Sequence, residues 1–153
     1  MFSKQSALAG DYVHYFSQDP AIDQTSGELD HERWEETGDL KFLPLVNGGR
    51  LTKFILRRLT SSEKSILGDV AETHGTQQMG WWAVALALRE INPLVMDGEP
   101  QDSTLGTTYD SRYKVKRLDD EWMDRLYDQD DAHSMFYEIA RRVLQETFGS
   151  PRT

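Results

Sequence analysis

The four histidines are the residues of this sequence best suited to binding a metal ion or transferring a proton. They fall in four separate predicted elements, with no His-x-x-x-His or His-Glu-x-x-His pair: His14, His31, His74 and His133. Protein zinc sites commonly place two ligands at such short spacings. We therefore expect surface histidines and no metal. The alternative is a small metal-dependent hydrolase whose site folding assembles from His31, Glu35 and His133.

Two acidic clusters, at residues 28–39 and 119–131, are the next candidates, because carboxylates bind calcium and act as general acids or bases. Neither cluster has the Asp-x-Asp-x-Asp-Gly order of a calcium loop, and the second stands where two helices are predicted to begin. Capping of helix N-termini explains such acids. Gly48-Gly49 lacks the Gly-Lys-Ser/Thr of a phosphate loop, and no Gly-x-Ser-x-Gly turn occurs. We expect neither a catalytic site nor a cofactor, and a protein that is not an enzyme.

Composition narrows the class of protein. The chain has 153 residues, the size of one domain, and its 38% hydrophobic and 28% charged residues are typical of a folded protein. The absence of cysteine excludes disulfides and thiolate ligands, and the net charge of −9 disfavours nucleic acid as a partner. The N-terminal residues lack the apolar core of a signal peptide, and no run approaches the roughly 20 apolar residues of a membrane span. We expect no membrane association.

Hydrophobic periodicity and capping signals predict one mostly helical α+β domain covering residues 1–153. The clearest signal is Thr60-Ser-Ser-Glu63, a capping box that starts a helix. The predicted elements are a short helix or turn at 8–16, an antiparallel hairpin at 42–59, a short strand near 112–117, and helices at 61–73, 77–92, 119–128 and 131–148.

Two long segments lack a sustained hydrophobic period. Residues 19–40 hold eight acids against one arginine, and we predict an extended acidic arm that is mobile in the isolated protein. Residues 93–111 contain two prolines and two glycines and are predicted to form a long loop.

Binding to other proteins is the function that the residue types favour. Residues 41–60 hold five basic residues and no acid, directly after the acidic segment. Solvated surface explains this pattern, and so do complementary docking patches on neighbouring subunits. A lone tryptophan in the acidic arm anchors either its own domain or a partner, and a tryptophan pair in an apolar helix belongs to a core or an interface. The candidate partner-binding residues are Trp34, Glu35, Arg57, Arg58 and Trp81.

Two stretches of the sequence carry motifs that together resemble one protein group. TKFILRRLTSSEKSIL at 52–67 fits the pattern Phe-x-Leu-Arg-x-Leu-Thr-x-x-Glu, and the stretch 117–145 closes with Glu-Ile-Ala-x-x-Val-Leu at 138–144. Both resemble regions of small proteins encoded among the virion genes of tailed bacteriophages.

The resemblance implies a non-enzymatic structural or assembly protein that acts through protein–protein contacts. Two variants stay open: a virion component of the head-to-tail or tail region, and a tail assembly chaperone absent from the mature particle. The implied partners are other phage structural proteins, including the tape-measure or tail-tube protein, in an oligomeric assembly. The implied location is the virion, or the host cytoplasm during assembly.

Overall fold

A computed structural model describes residues 10–96, 99–101, 104–128 and 132–149 of the chain. The helices within this part are α1 (His31–Thr37), α2 (Ser61–His74), α3 (Thr76–Ala87), α4 (Asp120–Asp128) and α5 (Ala132–Phe148), with a 3-10 turn at Leu40–Phe42. The strands are β1 (Tyr12–His14), β2 (Lys53–Leu56), β3 (Leu88–Asn92), β4 (Leu94–Met96), β5 (Glu99–Gln101), β6 (Thr107–Asp110) and β7 (Val115–Leu118). The predicted α+β fold class, with helix predominating, is confirmed.

Tertiary contacts divide the chain into two compact units. The main unit consists of Met1–His14 and Lys53–Thr153, and the inserted unit consists of Tyr15–Thr52. The prediction of a single domain stays a prediction.

The main unit contains an antiparallel sheet in the order β1-β2-β3. Helix α2 begins as predicted: the Thr60 hydroxyl accepts from the Glu63 amide, and the Glu63 carboxylate accepts from the Thr60 amide at 2.8 Å. Gly75, with a φ of 93°, separates α2 from α3. A non-glycine residue pays an energetic cost for such a backbone angle, so the glycine fits this corner. The helices predicted at 61–73, 119–128 and 131–148 are confirmed to within one or two residues.

The helix predicted at 77–92 is too long by five residues. Helix α3 ends at Ala87, and Leu88 takes extended angles because residues 88–92 pair with β2 as the edge strand β3. The apolar run Trp82–Leu88 is buried throughout, so it forms the centre of the unit's core. A buried apolar run has the same composition in a helix and in a buried strand, so the sequence alone does not separate them.

The hairpin predicted at 42–59 is wrong. The turn at Asn47-Gly48 exists, with the Gly49 amide 2.8 Å from the Val46 carbonyl oxygen. However, β2 starts only at Lys53, and its partners are β1 and β3. Of the predicted second strand of this hairpin, only Lys53–Leu56 is a strand, and the nearest apolar segment is not the segment with which it pairs.

Two further element predictions are corrected. Tyr12–His14 form β1, so the short helix or turn predicted at 8–16 is wrong where the structure describes it, and residues 8 and 9 lie outside the described part. The predicted loop at 93–111 contains β4 and β5, which pair with each other, and β6, which pairs with β7. The strand expected near 112–117 is β7. Within the described part, none of the helices has the length and hydropathy needed to cross a membrane.

The inserted unit replaces the predicted extended arm at 19–40. Asp30 caps α1 by accepting from the Arg33 amide at 3.0 Å, and Gly38 ends the helix in the left-handed region. Asp19 is buried and accepts from the amides of Ala21 at 2.8 Å and Thr52 at 3.0 Å. The acids were predicted to keep this segment extended. Instead, several of them accept hydrogen bonds from backbone amides and fix turns.

Candidate functional site

Arg57 and Arg58, predicted to contact partners, both bind carboxylates of the main unit. Arg57 donates to both oxygens of Glu63, through Nη1 at 3.0 Å to Oε1 and through Nη2 to Oε2. Glu63 is 5% exposed, so this fork joins the end of β2 to the first turn of α2. Burial raises the pKa of Glu63, but the hydrogen bonds from Arg57 and the Thr60 amide outweigh it and hold the pKa below its ordinary value.

Arg58 contributes to a second ionic group around Tyr12. Its Nη1 lies 2.8 Å from Glu146 Oε1, and its guanidinium lies 5.0 Å from the centre of the Tyr12 ring. The Arg142 guanidinium lies 5.2 Å from the centre of the same ring, and Arg142 Nε lies 3.2 Å from Glu146 Oε2. Burial first, and then the charge of Glu146, raises the pKa of Tyr12 to about 12. Tyr12 is therefore a neutral ring between two cations at physiological pH.

His14 is fully buried and bridges two charged side chains of α5. Its Nε2 lies 2.6 Å from Glu138 Oε2, and its Nδ1 lies 3.2 Å from Arg142 Nη1. A guanidinium has only hydrogens to offer, so Nδ1 must be the acceptor. The imidazole is therefore neutral with its proton on Nε2, which donates to Glu138. Because His14 has 0% exposure, its ring is closed to solvent, and its two contacts hold β1 against α5.

Trp34 and Glu35 lie in the inserted unit, on α1. Trp34 is 4% exposed, with its ring centre 5.1 Å from those of Tyr15 and His31. It therefore anchors its own unit and is not available as an exposed anchor for a partner. Glu35 Oε2 lies 3.8 Å from His31 Nδ1, one helical turn away.

The hypothetical metal site consisted of His31, Glu35 and His133. Of these, His31 and Glu35 are neighbours on α1. The side chain of His133 lies outside the described residues. His74, at the last turn of α2, is exposed.

Trp81 is half-buried and belongs to a group of two tryptophan rings and one arginine. Its ring is 5.5 Å from that of Trp82, and the Arg117 guanidinium lies 5.3 Å from the Trp81 ring and 5.4 Å from the Trp82 ring. The positive charge of Arg117 is balanced by two carboxylates: its Nε lies 3.1 Å from Asp110 Oδ2, and its Nη2 lies 3.1 Å from Asp120 Oδ1. Trp81 is therefore fixed in position, as a residue at a recognition surface needs to be.

An apolar groove lies between the first turns of α3 and the last three turns of α5. It encloses about 450 Å³, and Met79, Tyr137, Leu144 and Phe148 form most of its apolar lining. Tyr137 is 43% exposed and Phe148 is 55% exposed. The volume falls in the range of roughly 300–1,000 Å³ that is typical of ligand clefts. Exposed apolar patches of this kind commonly mark the binding site of a protein or a ligand.

The floor of this groove is set by two small residues, one on each helix. A methyl group added at Gly80 would lie 3.6 Å from the Ala140 Cβ, so the two backbones approach closely and leave free volume above them. Arg141 lines the groove and is exposed. The groove is thus apolar with a cation at its edge.

A second pocket of about 370 Å³ adjoins the groove and shares Gln77 and Tyr137 with it. Trp81, Tyr127 and Phe136 contribute aromatic rings, and Asp124 contributes a carboxylate. Gln77 Nε2 donates to the Tyr137 hydroxyl at 3.0 Å. The hydrogen bond with Tyr137, followed by the charge interaction with the same group, raises the pKa of Tyr127, so the Tyr127 phenol is neutral at physiological pH.

Of the residues that line these two cavities, the sequence indicated only Trp81 as a candidate. The helix predicted at 131–148 carries Phe136, Ala140, Leu144 and Phe148 in an apolar stripe, which was not divided between the core and a second surface. The signal that could have separated them is the stripe's width, because α5 carries more apolar residues than one helix face can bury. No protein-family model, curated protein or solved structure matches the chain.

The fork between Arg57 and Glu63 yields a pH-dependent prediction. Because the folded-state pKa of Glu63 is lowered, its ionised form stabilises the fold at neutral pH, and this contribution disappears as pH falls through that pKa, below about 4.5. Glu63→Gln should therefore cost about 2 kcal/mol at pH 7. The difference from the unmodified protein should shrink as the pH falls below 4.5.

Urea denaturation at pH 7 and at pH 3.5 measures this difference. Glu72→Gln is the matched control, because it removes the same charge from an exposed position of α2. A Glu63→Gln protein as stable at pH 7 as the control would contradict the structural role of the fork.

Proposed function

We propose that this chain is a binding protein whose groove between α3 and α5 receives an amphipathic helix of another protein. The observation that carries the proposal is the open, apolar groove with exposed Tyr137 and Phe148 at its sides. Recognition of an amphipathic helix by an apolar groove is a recurrent mode of protein–protein binding.

The shape of the groove favours a helix of a different protein over a second copy of this chain. A two-fold contact places the same surface on both partners, and a concave surface facing itself leaves a void. A convex helix fills the space above Gly80 and Ala140.

The distribution of charged groups gives further support. Arg57, Arg58, Arg117 and Arg142 each bind carboxylates within the main unit, where they connect its strands, loops and helices. Arg58 and Arg142 both bind Glu146, so these two pairs hold α5, one of the two helices that line the groove. A rigid groove loses little conformational entropy on binding, which favours affinity.

Site-specific crosslinking tests the proposal. Phe148, replaced by the photoreactive p-benzoyl-phenylalanine in the chain's native cellular background, should crosslink to one segment of another protein, and the crosslinked peptide should have an apolar stripe of helical period. Leu144→Asp should abolish this product, because it places a charge on the groove wall. The same photoreactive residue at Tyr109, which is 63% exposed on β6, is the matched control and should not give it.

Three outcomes would overturn the proposal: crosslinks only to a second copy of the chain, equal products from positions 148 and 109, or a crosslinked segment without an amphipathic pattern. Analytical ultracentrifugation of the isolated protein separates the first outcome from the others. A synthetic peptide of the mapped segment then gives the affinity directly.

A narrower form of the proposal is that the chain is a structural or assembly protein of a tailed bacteriophage. It rests on the resemblance of residues 52–67 and 117–145, of which Thr60–Glu63 caps α2 and residues 138–144 lie in α5. In this form the partner helix belongs to another phage structural protein.

Quantitative mass spectrometry of purified particles tests the phage assignment. A virion component should remain in the particles at a fixed copy number, whereas a tail assembly chaperone should be absent from them and bound to the tape-measure protein before assembly. If the chain is neither in the particles nor bound to the tape-measure protein, the phage assignment is wrong. The groove proposal is unaffected by that result.

A further inference from the structure

The aromatic pocket beside the groove has the composition of a site for an organic cation. Trp81, Tyr127, Phe136 and Tyr137 surround a volume of about 370 Å³, and the Asp124 carboxylate lines the same pocket. The face of an aromatic ring carries negative electrostatic potential and attracts ammonium and guanidinium groups. Within the described part of the chain, no basic side chain lines the pocket.

Asp124 supplies the counter-charge that such a ligand needs. It is exposed on α4, and no ion pair joins it to a described side chain, whereas its helix neighbour Glu121 binds Arg125 at 3.0 Å. The carboxylate therefore faces the pocket without an ionic partner among the described residues.

The aromatic walls are held in place before any ligand binds. The Tyr127 and Phe136 rings meet edge to face at 5.2 Å, and Gln77 holds the Tyr137 hydroxyl at 3.0 Å. On the opposite wall, Arg117 fixes Trp81 and is itself neutralised by two aspartates. Preorganised rings lose little freedom when a cation enters, which favours binding.

We propose that this pocket binds a basic side chain, lysine or arginine, presented by the helix that occupies the groove. The identity of this source rests on the proposed function, because the pocket and the groove share Gln77 and Tyr137 and form one continuous surface. The apolar face of such a partner helix would cover Leu144 and Phe148. Its basic residue would lie just beyond the end of that apolar face nearest to α3. The preference of the pocket for a cation depends on the residues of the pocket alone and not on the proposed function.

The test is an NMR titration of the whole protein with small probes. Nα-acetyl-lysine N-methylamide and Nα-acetyl-arginine N-methylamide should shift the Trp81 indole N–H signal and the backbone amides of 124 and 127. The norleucine derivative has a similar chain without the charge and should bind at least about threefold more weakly. Choline is the third probe and distinguishes a quaternary ammonium ligand from a basic side chain.

Variants separate the cation effect from general damage to the fold. Asp124→Asn should weaken the lysine probe about two- to fivefold and leave the norleucine derivative unchanged. Glu121→Gln removes the same charge from the same helix outside the pocket and should leave both unchanged. Tyr127→Leu should weaken both basic probes by removing a ring, and its folding is verified from the dispersion of the remaining signals.

Equal binding of the norleucine and lysine derivatives, or binding of choline without either basic derivative, would overturn the proposal. Leu144→Asp, which disables the groove, should leave probe binding intact. Failure of the groove proposal and failure of the pocket proposal are therefore distinguishable.

Discussion

The close approach of α3 and α5 at Gly80 and Ala140 is the constraint on which the main unit depends. Because neither residue carries a large side chain, the two helix backbones approach one another there. On the core side, α3 buries its run of Trp82–Ala87, and Ile139 and Val143 of α5 are buried as well. On the outer side, the same small residues leave an open apolar groove. The core and the candidate binding surface thus share one cause.

Helix α5 combines three roles because its side chains point in three directions. Ile139 and Val143 face the core, Glu138, Arg142 and Glu146 follow one another at intervals of four and form the ionic face, and Tyr137, Leu144 and Phe148 line the groove. The ionic face meets Tyr12 and His14 of β1 and Arg58 after β2. Arg142 is buried within this face, so removing the groups that it binds would leave an uncompensated charge, which is strongly destabilising. The ionic face therefore fixes the orientation of the helix, and that orientation decides which residues remain exposed.

Local signals in the sequence predicted what is locally determined. The capping box at Thr60–Glu63 and the helix predicted at 131–148 depend on residues within one or two helical turns, and both are present. Strand pairing is not local: β2 pairs with β1 and β3, from which it is separated by the inserted unit and by two helices, respectively. The conversion of residues 88–92 from predicted helix to strand likewise depends on a distant partner. The inserted unit was predicted as an arm because its helix is short and carboxylates fix its turns, which hydrophobic periodicity does not detect.

The candidate site was predictable only in part for the same reason. Trp81 stood out by residue type, but the groove and the pocket require the angle and distance between α3, α4 and α5, which no single helix encodes. The arginines that looked like partner contacts are used internally, since Arg57 and Arg58 find carboxylates six and 88 positions away in sequence. Charge at a surface position indicates a partner only after internal partners have been excluded.

Hydrogen–deuterium exchange of the isolated protein, compared with the protein in its native assembly, tests the central claim most directly. The claim is that another protein covers the groove between α3 and α5. It predicts slower exchange in the assembly for residues 76–81 and 137–149, with α2 unchanged, because amides under a bound helix open less often. Identical exchange at 76–81 and 137–149 in both states, or protection confined to the inserted unit, would contradict it.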